Sequence, residues 1–215
     1  MPLIVRLITL FILFSLAITV KPVCAVQKGA VEITPLIGYR FGGDFETKEA
    51  DITTTLQLTE ELAYGLLLAW DVDRKRQGEF LISHNNTKFT PLNFSPFKNG
   101  ITNNNNLAVT YIHIGGNVPI SKGVVPLFVT GGFGLTHLSP EDTLLDNETR
   151  FSMNLGLATK IAITKNVNFR FGGRVYATFF NSDSRIFCNK EICAMSIYSD
   201  LWIQSEVNAG ITFVF

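Results

Sequence analysis

The chain has 215 residues with 18 basic and 18 acidic side chains, a formal net charge of zero, and 17% charged against 47% hydrophobic residues. That balance excludes a nucleic-acid surface, which needs a clustered basic excess. The 18 phenylalanines and 17 glycines favour a β protein, and the longest apolar run of the later chain, YGLLLAW, ends at Asp71 before it could form a membrane-spanning helix.

In chain order, the first segment is MPLIVRLITLFILFSLAITVKPVCAVQ. Arg6, an apolar run from Leu7 to Val20, and the small-residue site at Val23, Cys24 and Ala25 predict a secretory signal peptide over residues 1–25, with the working domain over 26–215. The run is shorter than the roughly 20 residues a spanning helix needs.

Period-two patterning then predicts eight strands, at about 31–41, 62–73, 77–90, 106–118, 124–138, 150–164, 166–180 and 201–215. Strand one sets Val31, Ile33, Ile37, Tyr39 and Phe41 against Glu32, Thr34, Gly38 and Arg40. Strand six sets Phe151, Met153, Leu155, Leu157 and Ile161 against Ser152, Asn154, Gly156 and Lys160. Strand seven opposes Val167, Phe169, Phe171, Val175, Ala177 and Phe179 to Asn168, Arg170, Gly172, Arg174, Tyr176 and Thr178. The last strand puts Val207, Ala209, Ile211, Phe213 and Phe215 on one face, opposite Gln204, Glu206, Asn208, Gly210 and Thr212. Strands three and four alternate less cleanly, and their faces stay unassigned.

The connections alternate in length. Long ones cover about 42–61, 91–105, 139–149 and 181–200, and short ones fall near Arg74, Ser121 and Lys165, so both termini lie at the short-turn end. In the last long connection Cys188 and Cys193 stand close together in CNKEIC, and export predicts a disulfide between them. The spacing does not match a redox or zinc motif, and His84 and His113 have no companions at ligand spacing, so neither a metal nor a cofactor is expected.

Alternation also suits a soluble sandwich, whose strands have one apolar face. The polar faces here, however, carry Arg40, Lys160, Arg170, Arg174 and Glu206 among glycines, a mixture suited to the inside of a narrow closed barrel. Aromatics gather near both ends of the strands. Tyr39, Phe41, Tyr64, Phe151 and Phe179 stand by the long loops, and Trp70, Phe80, Phe169, Phe213 and Phe215 by the short turns, like two interfacial girdles.

The leader, the eight alternating segments, the loop asymmetry and the ending NAGITFVF together resemble the small eight-stranded outer-membrane β-barrels of Gram-negative bacteria, the OmpA, OmpX and OmpW type. The resemblance implies an all-β, antiparallel up-and-down barrel in the cell outer membrane, surrounded by lipid and lipopolysaccharide. It also implies that Val207, Ala209, Ile211, Phe213 and Phe215 form the signal read by the barrel-assembly machinery.

A barrel of this size is filled by side chains. Strand pairing of eight with seven and one places Glu206 between Arg174 and Arg40, and an internal charge cluster is expected there as structural filling. The leading expectation is a non-enzymatic barrel with a structural or surface-interaction role, exerted on an unidentified outside partner through four outer loops. Two alternatives stand beside it. Resemblance to the OmpW type implies passage of small hydrophobic solutes, and in THLSPED the pair His137 and Ser139, with Glu141 beside it, resembles the base and nucleophile of a lipid A deacylase, although the acid such an enzyme takes from the following strand is replaced by Phe151 or thereabouts, with only Glu148 nearby.

Overall fold

The computed structural model describes residues 30–49, 52–91, 106–121, 123, 125–141, 146–180, 184–188, 193–197 and 201–215. The leader expected over residues 1–25 lies outside them. Among the described residues twelve strands follow in order: β1 (Val31–Phe41), β2 (Phe45–Glu49), β3 (Ile52–Leu58), β4 (Glu61–Asp71), β5 (Gln77–Pro91), β6 (Asn106–Pro119), β7 (Leu127–Pro140), β8 (Glu148–Ala162), β9 (Val167–Phe179), β10 (Ser184–Cys188), β11 (Cys193–Ile197) and β12 (Leu201–Val214).

Eight of these close a barrel in the order β1, β4, β5, β6, β7, β8, β9, β12. Every neighbouring pair is antiparallel, and closure is made by β12 against β1, with Arg40 opposite Glu206 and Ile33 opposite Phe213. The last residue is clamped into this seam. The Phe215 N–H donates to the Val31 carbonyl at 3.0 Å, and the Val214 N–H donates to the Asn166 carbonyl at 2.9 Å. A closed barrel leaves no unpaired sheet edge around its wall.

Four further strands, β2, β3, β10 and β11, lie within two of the long connections that the sequence left as loops. β2 and β3 form a hairpin beyond β1, and β3 continues the sheet of β5 through Leu58 opposite Phe89. β10 and β11 form a second hairpin, which meets β2 at Ile197 opposite Thr47. The chain leaves β1 for β2 through Gly42 and Gly43, whose φ angles of 77° and 93° suit a residue without a Cβ.

The faces follow the alternation. Outward side chains are apolar: Leu155 is 65% exposed, and Ile37, Ile114, Phe133, Phe171, Val175 and Ile203 are also exposed. Inward side chains are largely polar and buried, including Arg40, Glu79, Arg170, Arg174, Gln204 and Glu206. This is the reverse of a soluble domain and is what a lipid-facing wall requires. Nine of the ten aromatics expected in two girdles are exposed on this outer surface, with Tyr39, Phe41, Tyr64, Phe151 and Phe179 toward the outer loops, and Trp70, Phe169, Phe213 and Phe215 toward the short turns, while Phe80 is half-buried.

Candidate functional site

The lumen is the densest concentration of polar chemistry in the fold. At the turn end, Lys160 Nζ lies 2.5 Å from Glu32 Oε2 and donates to Gln77 Oε1 at 2.9 Å, while Gln77 Nε2 donates to Glu32 Oε1 at 2.9 Å. Above them Glu79 receives two guanidinium groups, Arg174 at 2.6 Å and Arg170 at 3.2 Å, together with the Asn117 amide at 2.8 Å. Gly156 makes room for this: a Cβ there would meet the Gly173 carbonyl and the Arg174 side chain.

Arg174 also donates to Asn154 Oδ1 at 2.8 Å, which turns the Asn154 amide nitrogen toward His113 Nδ1 at 2.7 Å. An amide nitrogen can only donate, so Nδ1 accepts, and the imidazole proton sits on Nε2, 2.7 Å from Ser152 Oγ. The His113 and Ser152 contact therefore belongs to a packed lumen chain.

In the outer half of the lumen Arg40 is the organising residue. Its Nε and Nη2 donate to Glu206 Oε2 at 3.2 and 2.8 Å, Nη2 donates to Ser83 Oγ at 2.5 Å, and Nη1 donates to Asn85 Oδ1. The guanidinium also faces the Tyr111 and Tyr176 rings at 4.7 and 5.4 Å. Those rings stack with centroids 4.0 Å apart and planes 10° from parallel. Stacked aromatics beneath a cation fill the bore with rigid matter. Nearer the outer mouth the lining turns apolar, with Leu58, Leu107, Leu138, Phe180 and Trp202 buried together. The Trp202 indole N–H donates to the Gly43 carbonyl at 2.5 Å and so ties the mouth to the β1–β2 turn.

Glu206 thus pairs with Arg40, and Arg174 stands opposite it in strand register, but the Arg174 guanidinium goes to Glu79. The expected grouping of Arg40, Arg174 and Glu206 is two neighbouring clusters joined by register. Sequence reasoning did not find Glu79, although it takes both Arg170 and Arg174. It lies on β5, whose faces alternation could not assign.

The remaining candidates fall outside the lumen. His137 and Ser139 point outward from the outer end of β7. His137 Nδ1 is 2.9 Å from Thr149 Oγ1, Ser139 Oγ donates to Asn147 Oδ1 at 2.8 Å, and Glu141 accepts from the Asn106 amide. Each member of the would-be triad is engaged with a different partner. Cys188 and Cys193 stand directly opposite each other across the β10–β11 hairpin. Val207, Ala209, Ile211, Phe213 and Phe215 share the outward face of β12 and its end. Among the described residues, no three His, Cys, Asp or Glu side chains converge as a metal site.

No family model matches the sequence. No curated protein matches it either. Solved structures do. The outer membrane protein OprG of Pseudomonas aeruginosa aligns at a TM-score of 0.55 with 9% identity, over 88% of this chain and 97% of that one. Neisserial surface protein A aligns at 0.52 with 11% identity, over 87% and 100%. The outer membrane protein AlkL, solved in lipid bilayers, aligns at 0.51 with 8% identity, over 91% and 94%. The chain has the fold of the small eight-stranded outer-membrane barrels.

Proposed function

We propose that the protein is an integral outer-membrane barrel whose wall is a scaffold and whose outer extensions make contact with the surroundings. The observation that carries this reading is the sealed bore. Solvent does not reach Thr212 near the turns, Ser152, Tyr111, Tyr176, Thr136 and Thr178 along the bore, or Leu107 and Leu138 near the outer mouth, all 0% exposed. A wall filled in this way holds its loops rigidly, and function concentrates on such loops.

The hairpins β2–β3 and β10–β11 carry the sheet beyond the lipid-facing belt, and the second brings Cys188 and Cys193 into register for a disulfide that would stiffen its tip. The outward row from Val207 to Phe215 is the segment offered to the assembly machinery, and lipopolysaccharide is the neighbour of the outer rim. The role is non-enzymatic. Planar-bilayer recordings of the purified full chain test it: no discrete conductance is expected, and reproducible single-channel steps would overturn the sealed scaffold.

A second reading draws on the apolar outer mouth. Leu58, Leu107, Leu138, Phe180 and Trp202 offer a greasy lining suited to small hydrophobic solutes, above a polar floor that would stop polar ones. Entry there would quench or shift Trp202 fluorescence in a saturable manner. A linear response, equal in a Trp202→Phe variant, would count against it.

A further inference from the structure

The barrel ends on one side in three short turns, between β4 and β5, between β6 and β7, and between β8 and β9. Their bases carry outward apolar side chains, Val72, Ile120, Val125 and Ile163, each between 54 and 61% exposed. Beside them Arg74 and Lys75 in the first turn and Lys165 in the third are exposed. None of the three takes part in the ion pairs of the described residues.

The acids of this end are already engaged or turned inward. Asp73 accepts from the Lys75 and Arg76 backbone N–H groups at 2.8 Å each and pairs with the Arg76 guanidinium at 2.7 Å. Asp71 continues the lumen-facing row of β4 and accepts from Gln77 at 3.1 Å. No other acidic side chain of this end is exposed among the described residues. On the opposite rim Asp44, Glu60, Glu141 and Asp146 are exposed, together with Lys88.

We infer that the turn-end rim selects anionic phospholipids for the layer of lipid touching the barrel, with Arg74, Lys75 and Lys165 contacting headgroup phosphates. The inference rests on the membrane-spanning reading above. The apolar side chains fix the turns at headgroup depth, where Lys and Arg lay their stems along lipid and hold their charges among phosphates. A zwitterionic headgroup brings its own ammonium, so the attraction favours headgroups with net negative charge. Salt weakens it, because these charges are exposed.

The chain supplies its own reporter. Of its two tryptophans, Trp70 faces lipid beside the first turn at 37% exposure, whereas Trp202 is sealed in the outer mouth at 2%. The full chain is folded into phosphatidylcholine vesicles containing a minor fraction of phosphatidylglycerol, with bromine, a contact quencher of indole, on one lipid or the other. Brominated phosphatidylglycerol is expected to quench Trp70 about two-fold or more beyond its share of the bilayer. The excess should disappear in high salt and in the triple variant Arg74→Gln, Lys75→Gln, Lys165→Gln, whose folding is checked by heat-modifiable mobility. Quenching in proportion to bulk composition, or an excess that the folded triple variant retains, overturns the inference while leaving the membrane reading standing. No quenching by either brominated lipid overturns both.

Discussion

Arg40 and Glu206 meet at 2.8 Å inside the barrel, with side chains 0% and 2% exposed, at the seam where the first and last strands close the wall. Removing one partner leaves the other charged and buried. Glu206→Gln is therefore expected to lower the unfolding free energy by about 3–5 kcal/mol. Arg40→Met with Glu206→Leu should recover most of that loss, since an apolar pair of similar volume leaves no stranded charge. Urea titration of the protein in phospholipid vesicles, followed by tryptophan fluorescence, measures both.

Glu79 predicts an asymmetry. It pairs with both Arg170 and Arg174, so Glu79→Gln leaves two guanidinium groups without their shared anion. Arg174→Met leaves Glu79 still paired with Arg170. The first change should cost about 3–5 kcal/mol and the second clearly less. Equal losses in the same titration would show that the cluster is not organised around Glu79.

The strands of this wall were legible wherever the two faces differ in polarity. In β8, β9 and β12 the inward positions are mostly polar, small or aromatic with a hydroxyl or indole N–H, and the outward ones mostly apolar, so the period and the facing could be read together. β5 and β6 defeated that reading for a physical reason. Leu81, Leu107, Val109 and Tyr111 face the lumen while Ile82, Ile112 and Ile114 face outward, and two apolar faces erase the alternation. Glu79 was hidden with them. The β2–β3 and β10–β11 hairpins were also missed, because short strands beyond the lipid belt need no apolar face to mark them.

Leu155 tests the outward face. It sits mid-strand at 65% exposure. On a water-facing surface an arginine there would be nearly neutral, but at the middle of a bilayer it should cost about 2–4 kcal/mol. Leu155→Arg and Leu155→Ala, compared in vesicles of the same lipid, separate the charge effect from lost bulk.

Asp73 predicts a pH dependence. The Lys75 N–H first, then the Arg76 guanidinium and N–H, hold its carboxyl below the usual carboxylate range. A depressed folded pKa contributes stability that is present above the unfolded value and is lost as pH falls through the folded one. The stability difference between the native chain and Asp73→Asn should therefore be largest near neutral pH and shrink as pH drops below the ordinary aspartate range. A difference independent of pH would contradict this role for the turn.

Cys188 and Cys193 occupy opposite positions in the backbone register of β10 and β11. Purified from the cell envelope without reductant, the chain should have a mass lower by two hydrogens than the reduced form. Closing so short a loop restricts the unfolded chain by roughly 2 kcal/mol at most. Cys193→Ser should accordingly lower the stability read by urea titration by no more than that amount while speeding proteolysis of the hairpin.

The central claim is a closed barrel with lipid outside and a filled polar lumen inside. Membrane fractionation combined with electrophoresis of unheated and boiled samples tests it most directly. The expected result is recovery in the outer-membrane fraction with two bands, a compact one that boiling converts to a slower one. Recovery as a soluble periplasmic protein, with one mobility before and after heating, would contradict the account.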